Sequence, residues 1–193
     1  YAEYTHNAVG NVLTEQHGTG PVTEYEYDAS GLWLTKIIDA AGIETVQEYD
    51  ANNQLEKVTH PALDPDGNQF EYDAYGNVTK TISPLGTETA YTYDALGRLE
   101  EVVKDPGGLA ITMSYVYDDL GNMVAMTDPR GKVTEFEYGD PGCGCGSGSN
   151  LIKVTDALAH EAETIYTDGL VETTIDPAGI ETDYAYDDMG RLE

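Results

Sequence analysis

Two cysteines separated by one glycine are the side chains in this sequence whose spacing most suggests chemistry. Cys143 and Cys145 lie within a Gly- and Ser-rich insertion at 139–150. Paired thiols can begin a metal site, but structural metal sites take further Cys or His ligands, and none lies nearby in the sequence. A disulfide within Cys-Gly-Cys would be strained, and a cross-link to another chain is an alternative. We expect a disulfide of one of these kinds rather than a metal centre.

Alternating oxygen-bearing side chains occur at Asp64, Asp66 and Asn68, with a glycine between the last two. Short calcium loops have this pattern, but the bidentate glutamate that completes such loops is missing at the expected spacing. The run also coincides with a predicted turn, and we expect a turn here. Calcium is the one cofactor that this acidic sequence suggests.

The residue patterns typical of enzymes are missing from the sequence. The four histidines fall at or near predicted turns and share no spacing: His6, His17, His60 and His160. No nucleophile elbow, Ser/His/Asp order or phosphate-binding loop occurs. Carboxylates are so frequent in this sequence that no pair of them can be singled out as a catalytic acid and base. The sequence therefore predicts a protein without catalytic activity.

The charge balance excludes two classes of partner. The chain has 193 residues, of which 36 are acidic and 9 are basic, so its formal charge is −27. Nucleic-acid phosphates and anionic membrane surfaces would repel it. No apolar run is long enough to span a bilayer. We expect neither nucleic-acid binding nor membrane insertion.

These candidate residues are carried by one unit that recurs along the whole chain. The clearest copy of its first motif is Tyr91-Thr-Tyr-Asp-Ala-Leu-Gly-Arg-Leu99. A second motif, such as Asp128-Pro-Arg-Gly131, lies between copies of the first. Residues 1–193 are predicted to form a single array of about nine repeats. The repeats are anchored, about 20 to 28 residues apart, at His6, Tyr27, Tyr49, Tyr72, Tyr93, Tyr117, Tyr138, Tyr166 and Tyr186.

Both motifs predict turns, for a physical reason. The first residue, Asp, can accept hydrogen bonds from backbone amides two or three residues on, and the fourth, Gly, supplies a left-handed backbone. The segments between turns are short and rich in Thr, Val, Ile and Tyr, which predicts β-strands. The predicted fold is all-β, a continuous antiparallel meander of β-hairpins with roughly eighteen strands and no helix. The turn glycines are Gly31, Gly76, Gly97, Gly121 and Gly190.

Alternation along the strands separates two faces of the predicted sheet. Thr and aromatic residues share one side of the strand before each Tyr-Asp, and acidic residues occupy the other. The acidic side should face water, whereas the aromatic side should form a stacked ladder across the strands. The predicted ladder consists of Tyr25, Tyr27, Tyr91, Tyr93, Tyr115, Tyr117, Tyr184 and Tyr186.

The pattern Tyr-x-Tyr-Asp-Ala-x-Gly-Arg-Leu with Asp-Pro-x-Gly resembles the YD repeat of the Rhs (rearrangement hot spot) family. It is also similar to repeats of teneurins and of the shell subunits of insecticidal toxin complexes, and the resemblance covers essentially the whole chain. It implies a long sheet that spirals into a hollow shell, and roles in enclosing a cargo, contacting a cell surface or binding carbohydrate. Asp105-Pro-Gly-Gly-Leu109 has the letters of the family's self-cleavage motif, but it lies in phase with the ordinary turns, so we expect a turn.

These observations favour a non-enzymatic structural scaffold, part of a large secreted or cell-surface protein that builds a shell, tube or filament. Strands at the two ends of an array would be open to pairing. The expected partners are therefore further repeats of the same chain, or identical subunits joined end to end. The family resemblance adds a glycan or an enclosed cargo as alternative partners. The alternative is an adhesin-type module that recognises a glycan or a protein receptor through tyrosines. Either role places the protein outside the cell or at its surface.

Overall fold

A computed structural model describes residues 1–139 and 150–193. These residues form β-strands joined by turns and contain no α-helix. The all-β antiparallel fold predicted from the repeat is therefore confirmed. Among the described residues, no helix has the length and apolar character needed to span a membrane.

Short strands follow one another along the described residues, with three to nine residues in each. They are β1 (Ala2–His6), β2 (Val12–His17), β3 (Val22–Tyr27), β4 (Leu34–Ile38), β5 (Glu44–Tyr49), β6 (Leu55–His60), β7 (Asp64–Tyr72), β8 (Val78–Ile82), β9 (Glu88–Tyr93), β10 (Leu99–Lys104), β11 (Ile111–Tyr117), β12 (Met123–Thr127), β13 (Val133–Gly139), β14 (Asn150–Thr155), β15 (Glu161–Thr167), β16 (Leu170–Ile175) and β17 (Glu181–Asp183).

The strands belong to two compact units. The first comprises Tyr1–Tyr91 and Lys104–Ala110, and the second comprises Thr92–Val103 and Ile111–Glu193. In the first unit each strand from β1 to β9 pairs antiparallel with the next one in the chain. In the second unit the same holds from β11 to β17. Each unit is therefore a meander of hairpins, and the single array over the whole chain stays a prediction.

Neither unit encloses a hydrophobic core. Among the described residues no apolar side chain is fully buried, and the one buried polar residue is Thr59, which is 6% exposed. A sheet without a second layer packed on it must rely on ladder hydrogen bonds and on side-chain pairs across neighbouring strands. The stability of this protein therefore depends on contacts within the sheet.

A β-bulge precedes the anchor residue in seven of the repeats. Glu26 pairs with Lys36, whereas the next residue, Tyr27, pairs with Leu34, so Thr35 is the extra residue. Bulges increase the local twist of a strand pair and redirect side chains. The sequence analysis missed this feature. The register shifts fall at Thr5/His6, Glu26/Tyr27, Glu48/Tyr49, Glu71/Tyr72, Val116/Tyr117, Glu137/Tyr138 and Ile165/Tyr166.

The turn predicted at Asp64–Asn68 was wrong, because these residues begin β7. The chain reverses at residues 61–63, where the Leu63 amide donates to the His60 carbonyl at 2.8 Å. His60 and Asp64 face each other across this turn. Gly67 forms a bulge with φ 61°, and an added Cβ would overlap the backbone of Val58. The predicted turn residues thus extend the strand instead of ending it.

Candidate functional site

The turns of the repeat lie at the two edges of each unit. We call the edge that carries the Tyr-Asp turns the Tyr-Asp rim; its turns span 7–11, 28–33, 50–54 and 73–77 in the first unit and 94–98, 118–122 and 187–191 in the second. We call the opposite edge the Asp-Pro rim; its turns include 39–43, 61–63, 83–87 and 105–110 in the first unit and 128–132, 156–160 and 176–180 in the second.

An aspartate carboxylate closes nearly every turn on both rims. Asp94 Oδ1 accepts from the amides of Leu96 and Arg98, both at 2.9 Å, and its carbonyl accepts from Gly97 at 3.0 Å. The amides therefore lie two and four residues on, not two or three as predicted. The same pair of bonds occurs at Asp39, Asp50, Asp73, Asp118, Asp128, Asp156, Asp176 and Asp187.

Hydrogen bonds within the turns lower the pKa of seven of these carboxyl groups. Backbone donation by Trp33, with further bonds from Ser30 and Leu32, lowers the pKa of Asp28 to about 2. The Arg98 amide lowers the pKa of Asp94, because donors to a carboxylate stabilise its charged form. Similar bonds within their own turns lower the pKa of Asp73, Asp118, Asp128, Asp156 and Asp187.

The five predicted turn glycines all have left-handed backbones. Gly97 has φ 79°, and an added Cβ would meet no atom within 4 Å, so its constraint is conformational and not steric crowding. Asn53 and Ala159 hold the same turn position at φ 62° in two divergent copies. The angles of the others are 74° at Gly31, 93° at Gly76, 92° at Gly121 and 74° at Gly190.

The anchor tyrosines tie each hairpin to the preceding one. Tyr27 Oη donates to the carbonyl of Val12 at 3.0 Å, and Tyr117 Oη donates to Leu99 at 2.9 Å. Each acceptor is the first or second residue of the second strand of the preceding hairpin. The bond recurs from Tyr49 to Leu34 (2.9 Å), from Tyr72 to Leu55 (2.8 Å) and from Tyr166 to Leu151 (3.3 Å).

The eight predicted ladder tyrosines are all half-buried in the sheet. Besides Tyr27 and Tyr117, Tyr25 Oη donates to Glu15 Oε2 at 3.3 Å, and Tyr184 Oη lies 3.4 Å from the Thr174 hydroxyl. Tyr91 and Tyr93 lie in β9, Tyr115 lies in β11, and Tyr186 forms an isolated bridge with Leu192. Ring stacking along the ladder stays a prediction. A ring contact that the structure does show joins Trp33 to Tyr49, with centroids 5.6 Å apart.

Side chains also join neighbouring turns of the Tyr-Asp rim. In the second unit the Arg98 guanidinium lies 4.8 Å from the centre of the Tyr117 ring and donates to the Asp118 carbonyl at 2.8 Å. Its Nε also binds the Asp94 carboxylate at 2.7 Å. In the first unit Asn7 and Asn11 both donate to the Gly31 carbonyl, at 2.9 and 2.8 Å. In these two turns the residue after the glycine, Arg98 or Asn11, links one turn to the next, which local sequence patterns did not reveal.

The calcium candidates are partly engaged in other contacts. Asp64 Oδ1 accepts from the His60 amide at 2.9 Å and lies 3.1 Å from His60 Nδ1. Asp66 and Asn68 are exposed. Within residues 1–139 and 150–193 no three Asp, Glu, His or Cys side chains converge as a metal site would require. Calcium binding stays a prediction, and the Cys143–Cys145 disulfide prediction lies outside the described residues.

The segment with the letters of the self-cleavage motif is a turn, as expected. Asp105 has φ 54°, and its carbonyl accepts from the amides of Gly108 and Ala110 at 3.0 and 2.9 Å. Its carboxylate accepts from the Leu109 amide at 3.1 Å. The carboxylate is therefore held by the loop that it closes.

The structure contains one cluster of polar side chains, around Glu15, that the sequence motifs did not predict. Glu15 accepts from Tyr4 Oη at 3.1 Å and from Tyr25 Oη at 3.3 Å, and lies 2.9 Å from His17 Nε2. Period-two alternation places Glu15 and His17 on one face, but only the strand register brings the tyrosines to them. The three contacts use the carboxylate as an acceptor, and no Ser, Thr or Cys hydroxyl or thiol is bonded to His17 as a nucleophile in the described residues. The cluster therefore stabilises the first strands.

A family model named RHS repeat matches the sequence five times, at residues 6–43, 27–69, 49–88, 72–110 and 117–160. The chain belongs to the RHS-repeat family. The first four ranges overlap because each covers more than one repeat, from one anchor past the next; the fifth lies apart from them. The anchor residues, the bulges and the turns closed by aspartate carboxylates are thus features of RHS repeats in this chain.

Solved structures with the same fold come from Tc toxins. TcdB2-TccC3 without its hypervariable C-terminal region matches with a TM-score of 0.71 and 14% identity, over 99% of this chain and 11% of that chain. The Tc holotoxin pore of Photorhabdus luminescens matches with a TM-score of 0.65 and 17% identity, over 100% of this chain and 12% of that one. This RHS-repeat chain therefore spans about a tenth of the length of these solved chains. No curated protein matches the sequence.

Proposed function

We propose that this chain is a structural segment of a larger RHS-repeat protein, without catalytic activity, and that it forms part of the wall of a shell. The observation that carries the proposal is the bond from five of the anchor tyrosines to the preceding hairpin, as between Tyr117 and Leu99. Such bonds recur within the repeat and hold neighbouring hairpins of the sheet together without a core. Long sheets of this kind suit walls and scaffolds.

The arrangement of tyrosines favours a scaffold over the adhesin alternative. Adhesin sites that bind sugars use exposed aromatic faces, whereas the anchor tyrosines here are half-buried and their hydroxyls bind backbone carbonyls. The likeness to Tc toxin structures supports the shell role, and their description as toxins supports a place outside the cell or at its surface. Further repeats of the same polypeptide are the proposed partners.

Electron microscopy of the purified chain tests the scaffold proposal. We expect thin sheet-like strips, or tubes and closed particles where strips join. Hydrogen exchange should show slow amide exchange in hairpins throughout the described residues, because every strand is bound on both sides within its unit except at the ends. Solid globular particles in place of strips, tubes or hollow particles would contradict the proposal. Fast amide exchange through most hairpins would contradict it as well.

A further inference from the structure

The third residue of the turns on the Tyr-Asp rim is often apolar and exposed to solvent. The third residue of the turn is 92% exposed at Tyr75 and 74% exposed at Leu96. Turn positions usually hold polar residues or glycine, because nothing covers them. The same position is apolar and exposed in five copies, at Val9, Tyr75, Leu96, Leu120 and Met189.

The recurrence of these residues needs a physical reason. Single exposed apolar side chains are ordinary on protein surfaces. Here, however, five of the seven Tyr-Asp turns have an apolar residue at the third position, although they differ at many other positions; the exceptions are Ser30 and Asn52. A contact that buries this position would account for the pattern, since the turn itself does not require an apolar side chain.

The rim holds these residues in place. In the second unit Arg98 donates to the Asp118 carbonyl at 2.8 Å, which joins the turn of Leu96 to the turn of Leu120. In the first unit Asn7 and Asn11 join the turn of Val9 to the next turn through the Gly31 carbonyl. Turns whose backbone is already held in place lose less entropy on binding than free loops would. These links therefore prepare the rim for contact.

The opposite edge also carries exposed leucines, at four of the seven turns named above. Leu85 on the Asp-Pro rim is 94% exposed, and Leu63, Leu109 and Leu158 are also exposed. Both rims have one turn per hairpin, so on each rim successive turns lie two strands, or about 10 Å, apart. A partner that covers several of these residues at once must have the same spacing. Another array of this repeat has that spacing on both of its rims.

We infer that the Tyr-Asp rim of one copy docks against the Asp-Pro rim of a second copy of this chain, through the exposed apolar turn residues. This inference names the partner within the proposed scaffold role and rests on that role. The contact is head-to-tail because it joins two different rims, so each copy keeps one free rim on which a further copy can be added edge to edge. It also keeps the acidic faces of the two sheets from lying against each other.

Charge predicts how the contact responds to salt. Each copy carries −27, so two copies repel each other at low ionic strength. Added salt screens that repulsion but leaves the apolar contact. Association should therefore strengthen as the salt concentration rises, which is the opposite of a contact made by ion pairs.

Sedimentation of the whole chain in reducing buffer tests the inference. We expect wild-type association to weaken at least about tenfold in Leu96→Ser/Leu120→Ser, because two exposed leucines lose their burial. The control is Val116→Ser/Ile165→Ser, which removes exposed apolar residues from strands of the same unit. Thermal melts confirm that each variant folds. A wild type that stays monomeric at high salt, or equal association of the two variants, would overturn the inference.

Cross-linking tests which rims meet. In a Cys143→Ser/Cys145→Ser background, copies with Leu96→Cys are mixed with copies with Leu85→Cys and oxidised. We expect the mixed disulfide dimer to exceed the dimers that either variant forms alone. Equal or greater self-dimers would overturn the head-to-tail arrangement. Either failure leaves the microscopy and exchange results of the scaffold test unchanged, so the two proposals fail separately.

Discussion

Glu71 and Lys80 lie directly opposite each other in the β7–β8 ladder, with Oε1 2.6 Å from Nζ. The residue before an anchor faces a matched partner in other hairpins too. Glu26 faces Lys36 at 3.3 Å, and Thr5 faces Thr14 with the hydroxyls 2.6 Å apart. The kind of pair changes between hairpins, from ionic to hydroxyl, but its members remain complementary. These three hairpins therefore each carry a pair that favours their own register.

Reversing one member of this pair should destabilise the sheet. Glu71→Lys places two lysines opposite each other, and we expect a loss of about 0.2–1 kcal/mol because the pair is partly exposed and screened. Adding Lys80→Glu should restore most of the loss. Urea unfolding of the four combinations measures the coupling between the two sites. Additive effects of the two substitutions would show that the pair contributes nothing.

Removing one anchor hydroxyl should weaken the link between hairpins. Tyr117→Phe keeps the ring beside Arg98 but loses the bond to the Leu99 carbonyl, so we expect a loss of about 1 kcal/mol. Tyr75→Phe is the matched control, because Tyr75 is an exposed rim residue. Thermal and urea unfolding provide the comparison. Equal stability of the two variants would mean that the hydroxyl bond is not a structural tie.

Replacing a turn glycine should cost more than removing a surface charge. Gly97→Val puts a β-branched residue at φ 79°, and we expect a loss of about 1–3 kcal/mol. Gly97→Asn should cost less, since Asn53 adopts this conformation in its own turn. Glu100→Gln, on an exposed strand position, is the control and should change the melting temperature little. Equal melting temperatures for Gly97→Val and Glu100→Gln would contradict the turn assignment.

Acid should unfold the protein through its turn carboxylates. The pKa of Asp28 is about 2 in the folded chain against an ordinary 3.8, so its stabilising effect is present above about pH 4 and is lost as pH falls through the folded pKa. Protonation of exposed glutamates relieves repulsion over part of this range, so the comparison must use a variant. We expect the difference in urea midpoint between wild type and Asp28→Asn to shrink from pH 5 to about pH 2. A constant difference would show that the Asp28 charge is not involved.

Local patterns in the sequence were enough to predict the repeat, the all-β fold and most of the turns. The reason is that each depends on neighbouring residues: Asp and Gly close a turn such as 94–98 within five positions, and alternation sets the faces of a strand. The prediction was wrong at Asp64–Asn68, where His60 and Pro61 moved the reversal three residues earlier. Both Pro61 and the Asp64–Asn68 segment have residues typical of turns, and the sequence alone did not show which of them forms the turn.

The tertiary structure decided the contacts between hairpins. The bond from Tyr117 to Leu99, the link from Arg98 to Asp118 and the cluster around Glu15 join residues that are ten or more positions apart. Their partners depend on strand register, and a bulge before an anchor shifts that register by one residue. A one-residue shift changes which side chain meets which carbonyl. For this reason the sequence predicted where the tyrosines recur, whereas only the folded sheet showed that their hydroxyls bind the preceding hairpin.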